Sequence, residues 1–292
     1  MCAATVAVLA GCSSGPNIAS PPSPTPVSTA VIAQPAVTVA VTSQGAQPLR
    51  QLALSPAADP GQVVMLSTTS SITQTVGSNP EQNLSTPQLR LPLTATAPGA
   101  GTVGLTLGEA TSPDPVLTAA LAKANGSGAQ LLVQPSGAVQ ELRITPAAGV
   151  SDSARAAVEQ ALRQAVQFAP VLPDAPVGVG AVWTVTTVID SLGLQISQVT
   201  TLTLTAVHAS TLTLGVQLTQ TPQTSTWTLP GQGGTLNVDA YPVAGSGTLT
   251  VDLTKPLPVG GAVEVGGNQV YSDPASALQL KQTVTSTVAW QS

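Results

Sequence analysis

The sequence predicts an α+β fold, mainly antiparallel β: a curved sheet or half-barrel of two β-rich halves, with an amphipathic helix at about 151–168. Three observations predict it. From about residue 37 onward the dominant pattern alternates apolar and polar residues with period two. One long stretch, 151–168, instead carries its apolar residues at helical spacing. The composition favours strands, because the 42% apolar content is mostly small aliphatics interleaved with Thr, and only 2% of residues are aromatic.

Each element follows from its own residues. "QVVMLSTTSSITQTV" (62–76), "PQLRLPLTATA" (87–97) and "GTVGLTLG" (101–108) read as strands separated by Pro, Gly and Asn. A short helix is expected in "TSPDPVLTAALAKANGSG", with Ser112 as cap, Pro113 at the first helical position and Gly126 as stop. "AQLLVQPSGAVQELRIT" (129–145) reads as a hairpin around Pro135-Ser136-Gly137. In the longer helix Ala154, Ala157, Val158, Ala161, Leu162, Ala165 and Phe168 form the apolar stripe. Arg155, Glu159, Gln160, Arg163 and Gln167 are expected to face away, and Pro170 ends the helix.

The second half opens with "AVWTVTTVI" (181–189), which aligns Trp183, Val185 and Ile189. "TTLTLTAV" (200–207) sets Leu202 and Leu204 against Thr201 and Thr203, and His208-Ala209-Ser210 links it to "TLTLGVQLTQT" (211–221) as a hairpin. "GTLTVDL" (247–253) and a last run with Leu278, Leu280, Val284, Val288 and Trp290 on one face complete the antiparallel series. The expected organisation is a segment 1–11, a tether 12–36, and a β-rich domain 37–292. Within that domain, halves at about 37–147 and 178–292 are joined by the helix and linker 148–177.

The N-terminus carries an address. "AATVAVLA" (3–10) is apolar but far shorter than the about 20 residues needed to span a bilayer, and reads as the end of a signal-peptide h-region. Leu9-Ala10-Gly11-Cys12 resembles the bacterial lipobox, which implies cleavage before Cys12 and attachment of a diacylglycerol to its thiol. Met1-Cys2-Ala3 lacks the basic residues of an n-region, so the translation start is expected further upstream. Residues 13–35 are rich in Pro and Ser with almost no charge, and no helix or sheet is expected there. As extended polyproline such a tether reaches roughly 70 Å. The expected location is the extracytoplasmic face of the cell membrane.

What the chain lacks excludes several functions. Only 7% of residues are charged, the net charge is −5, and no window is basic, so no nucleic-acid partner is expected. The cysteines are Cys2 and Cys12 alone, so the body of the chain has no thiol for a disulfide or a metal site, and no metal or other cofactor is expected. His208, the one histidine, falls in a hairpin link. Asp174, Asp190, Asp239, Asp252 and Asp273 stand singly beside Pro, Gly or strand ends, where turn chemistry accounts for them. Ala244-Gly245-Ser246-Gly247 lacks the first Gly of a nucleophile elbow, and "GQGGTLN" (231–237) has no Lys-Ser/Thr after it. Trp183, Trp227 and Trp290 are expected in the core. No catalytic residue is assigned and no enzyme is expected.

"FAPVLPDAPVGVGAVWTV" (168–185) resembles the linker of a group of bacterial, largely actinobacterial, lipoproteins, the DUF6263 family. The resemblance extends over about residues 60–290. It implies two β-rich halves joined by that linker, with a hairpin and an amphipathic helix before it, and carries no catalytic residues with it. The architecture is also similar to mycobacterial lipid-binding lipoproteins and the LolA-like half-barrel. The functional expectation is therefore a membrane-anchored, non-enzymatic protein binding a hydrophobic or lipid ligand at residues the sequence does not identify. The alternative is a structural or interaction protein of the cell envelope. A continuous cavity between the sheet and the 151–168 helix separates the two.

Overall fold

The computed structural model describes residues 29–58, 61–99, 101–229 and 234–292. The segments 1–11 and 13–28, and Cys12 itself, lie outside the described residues. The first half comprises β1 (Ala30–Ala33), β2 (Thr38–Ser43), β3 (Gln62–Val76), β4 (Gln82–Asn83), β5 (Thr86–Gly99), β6 (Thr102–Leu107), α1 (Pro115–Leu121), β7 (Gly128–Val133), β8 (Val139–Thr145) and α2 (Asp152–Gln167). The second comprises β9 (Val182–Ser191), β10 (Leu194–His208), β11 (Thr211–Pro222), β12 (Thr226–Thr228), β13 (Thr235–Ala240), β14 (Val243–Asp252), β15 (Gly260–Ser272) and β16 (Gln279–Gln291).

These strands form one antiparallel sheet in the order β1-β8-β7-β6-β5-β3-β16-β15-β14-β11-β10-β9-β2, with the β12–β13 hairpin attached to β15 and β4 to β3. The two halves share this sheet through a seam between β3 and β16, in register from Met65↔Gln291 to Val76↔Leu280. Alternation puts Thr outward and Leu or Val inward: Leu66, Leu202, Leu204, Leu212, Leu214 and Leu249 are all almost fully buried.

The sheet is strongly curled. β1 and β2 occupy its two opposite edges, yet only residues 34–37 separate them in the chain. Five residue steps reach about 18 Å at most, so the edges approach to within that distance and the chain crosses between them as a strap. Both edges are thereby capped by short strands, which blunts them against pairing with other chains.

Two local expectations are corrected. The tether was expected to run unstructured to residue 36, but Ala30–Ala33 pairs with Glu141–Ile144 of β8. The prolines fall at 16, 21, 22, 24, 26 and 35, so the proline-free "STAVIA" is left able to add to an edge, with Ile32 turned inward. In α1 the cap is Asp114, whose Oδ1 accepts from the Val116 and Leu117 amides, and Pro115 takes the first helical position. Ser112 instead accepts a bond at its carbonyl from the Thr118 hydroxyl at 2.7 Å.

α2 keeps its expected span. Ser151 caps it, accepting from the Ala154 amide, and it buries Ala154, Val158, Ala161, Leu162 and Ala165. It lies in the trough of the sheet, packed against α1, β3, β5 and β8, all elements of the first half. Beyond it the linker 168–181 is pinned at both ends. Trp183, with no solvent exposure, donates from its indole nitrogen to the Val171 carbonyl at 2.8 Å, and Gly178 packs flush against the Ala46 carbonyl.

Candidate functional site

Because α2 sits over the first half of the trough, the second half is left without a helix to fill it. On the filled side lies a void of about 50 Å³, bounded by Leu93, Leu131, Leu162 and Trp290. On the other side a pocket of about 780 Å³ opens between the helix and the concave face of β9, β10 and β11. Its sheet wall is made by Val185, Ile196, Leu202, Val216 and Leu218, its helix wall by Val166 and Phe168, and one flank by Ile32, Pro35 and Val37 of the strap. With so few aromatics in the chain, the small aliphatics of this wall leave the space unoccupied.

The remaining wall is lined by amides. Gln160, Gln164, Gln167, Gln198 and Gln220 all border the pocket. Gln160 and Gln167 were expected on the outer face of the helix; Gln160 is exposed as expected and only borders the pocket, whereas Gln167 is half-buried against it, and Gln164 between them is only 9% exposed. The reason is that α2 has two buried sides, one on the first-half core and one on the pocket, so its inward arc is wider than the apolar stripe.

Gln198, 2% exposed, is the centre of this group. Its Oε1 accepts from Gln220 Nε2 at 2.9 Å and from Gln167 Nε2 at 3.2 Å, tying β10, β11 and α2 together. A second set lies toward the same end of the sheet, where Gln269, Gln282 and Gln74 stand opposite one another across β15, β16 and β3. There Gln282 Nε2 donates to Gln74 Oε1 at 2.7 Å and the Tyr271 hydroxyl to Gln269 Oε1 at 3.0 Å. Sequence reasoning missed these residues, although a signal exists. In β10 the inward phase reads Ile196, Gln198, Thr200, Leu202; in β11 Leu218, Gln220; in β16 Leu280, Gln282, Val284. A polar residue in an apolar phase is a buried amide needing partners.

Beyond the amides a separate apolar cluster of Leu194, Ile196, Trp227 and Tyr271 closes the end of the trough beneath the β12–β13 hairpin, with the Trp227 and Tyr271 rings 5.1 Å apart. Tyr241 borders the pocket from the same side. Burial pushes the Tyr241 phenol up to about 12, and burial, with Tyr241 nearby, raises Tyr271 as well, so both are protonated and neutral at pH 7.

The residues weighed for chemistry are placed apart. His208 is exposed at the end of β10. Asp190 accepts from the Gly193 amide and Gln195, Asp252 from Thr254, and Asp239 from the Ser272 hydroxyl. Asp273 accepts from the Ala275 amide and the Ser276 hydroxyl, which hold its carboxyl below the usual range. Asp174 and Ser246 are exposed, in the linker and on the outer face of β14. Among the described residues no three His, Cys, Asp or Glu side chains gather in metal-ligand fashion, and no helix is long and apolar enough to cross a membrane. Trp183, Trp227 and Trp290 are all buried.

Compared with protein-family models and with curated proteins, the chain matches none of them.

Proposed function

We propose that this chain is an extracytoplasmic lipoprotein of the DUF6263 type, anchored through a diacylglycerol on Cys12, whose curled sheet holds a hydrophobic or lipid ligand without chemical conversion. The observation that carries the reading is the pocket of about 780 Å³ between α2 and β9–β11. That volume falls within the about 300–1,000 Å³ of sites for small ligands, and its wall joins an aliphatic face to a row of uncharged amides. The Leu9-Ala10-Gly11-Cys12 sequence and the Pro/Ser-rich residues after it support the anchor, since they would hold such a pocket clear of a bilayer.

Two experiments test the two parts. Cells expressing the chain with a complete signal peptide placed before Cys12 and fed labelled palmitate are expected to label it, and Cys12→Ala to abolish the label; an unlabelled wild-type chain overturns the anchor. For the pocket, the purified domain is expected to raise the fluorescence of the hydrocarbon probe diphenylhexatriene saturably, near one probe per chain. Substituting Leu202 or Val216 by Glu, which puts a charge on the pocket wall, is expected to weaken that binding at least about 10-fold. No saturable uptake by the wild-type domain overturns the binding reading.

A further inference from the structure

Gln198 has a spare hydrogen-bonding end. Its Oε1 is shared by Gln167 and Gln220, and among the described residues no hydrogen bond leaves its Nε2. The side chain is nonetheless 98% buried, at 2% exposure, and borders the pocket. Exchanging oxygen and nitrogen in all three amides preserves both bonds and turns the free end from a donor into an acceptor. One unpartnered amide end faces the pocket in either orientation. That end is open to the pocket rather than sealed in the core, since among the described residues the buried side-chain atoms without a partner are Arg50 Nε and Nη2 and Ser286 Oγ. Water can satisfy it in the empty pocket, a pure hydrocarbon would displace that water without replacing the bond, and an amphiphile with a hydroxyl or carbonyl at that depth would restore it.

The charges around the pocket decide what kind of amphiphile. Arg163 borders it but is half exposed and paired with Glu159 at 3.1 Å, and Asp190 is exposed at the tip of the β9–β10 hairpin. The deep wall offers amides, Thr200 and aliphatics, with no cation to meet a phosphate or carboxylate. An anionic head brought to Gln198 would be desolvated without a counter-charge.

We infer that the pocket selects neutral lipids of the acylglycerol class, with an ester carbonyl or glycerol hydroxyl bonded to Gln198 and the chain running along Leu202, Val216 and Leu218. This rests on the binding reading given above. The amide group then works as a chemical filter, since it satisfies an uncharged head and rejects an ionised one.

The test uses the folded domain with diphenylhexatriene as reporter and monoolein and oleyl phosphate as competitors. Wild type is expected to bind monoolein at least about 10-fold more tightly than oleyl phosphate, a comparison that needs no variant. Gln198→Leu is expected to weaken monoolein about 5-fold more than it changes binding of the hydrocarbon reporter, the loss of one neutral hydrogen bond. Equal affinity for the two competitors overturns the selection of neutral heads. Monoolein and reporter affinities that move together in Gln198→Leu overturn the role of Gln198. Either outcome leaves hydrocarbon uptake standing, whereas a wild-type domain that takes up no reporter removes the binding reading itself.

Discussion

Trp183→Ala is expected to destabilise the domain by about 3–5 kcal/mol, the range for deleting a fully buried large aromatic. At this chain length that corresponds to a fall in melting temperature on the order of 10 °C. Trp183 is wholly buried near the start of β9, and its indole N–H satisfies the Val171 carbonyl of the linker at 2.8 Å. The substitution therefore removes both a packing keystone and a bond tying the helix linker to the second half. Trp183→Phe separates the two, since it keeps most of the volume but leaves the carbonyl unpaired, at about 1–3 kcal/mol. Thermal melts of both variants by circular dichroism give the answer. An alanine variant that melts within about 2 °C of wild type would show the linker is held elsewhere.

Gly178→Ala has the second largest expected effect, for a different reason. A Cβ built there lies 1.8 Å from the Ala46 carbonyl oxygen and 3.2 Å from that of Pro48, so the segment before β3 must be displaced. That segment is bonded to the linker by Gly178 N to Gln44 O and by Ala46 N to Val179 O, both at 2.8 Å. Loss of about 2–3 kcal/mol is expected, from forced displacement plus weakened bonds. Gly180→Ala is the control. Gly180 has a φ of +84° with open space around it, so alanine there costs only the left-handed conformation, about 1–2 kcal/mol. If denaturant midpoints fall equally for the two variants, the close approach at Gly178 is not what matters.

Trp183 was legible in the sequence as a core residue of a strand beginning near 181, and the strands themselves were legible from Leu and Thr alternation. What was not legible is long-range. Nothing local in "SITQTV" or "KQTVTSTV" announces that β3 and β16 pair across most of the chain and so join the two halves in one sheet. β1 was hidden by the prolines on either side of it. The pocket amides were hidden by their residue type, since Gln on a helix reads as solvent-facing until the sheet that covers Gln164 and Gln167 is known.

The strap between the sheet edges has a kinetic consequence. Its two strands can dock only after both halves have assembled, because β1 needs β8 and β2 needs β9. β1 holds four residues, plus one bond from the Gln34 amide to the Gln140 carbonyl, against the long seam between β3 and β16. Local opening of β1 therefore costs a fraction of the global unfolding free energy. Since Ile32 and Pro35 flank the pocket, fraying of this one short edge strand alters that flank while the sheet around it stays intact.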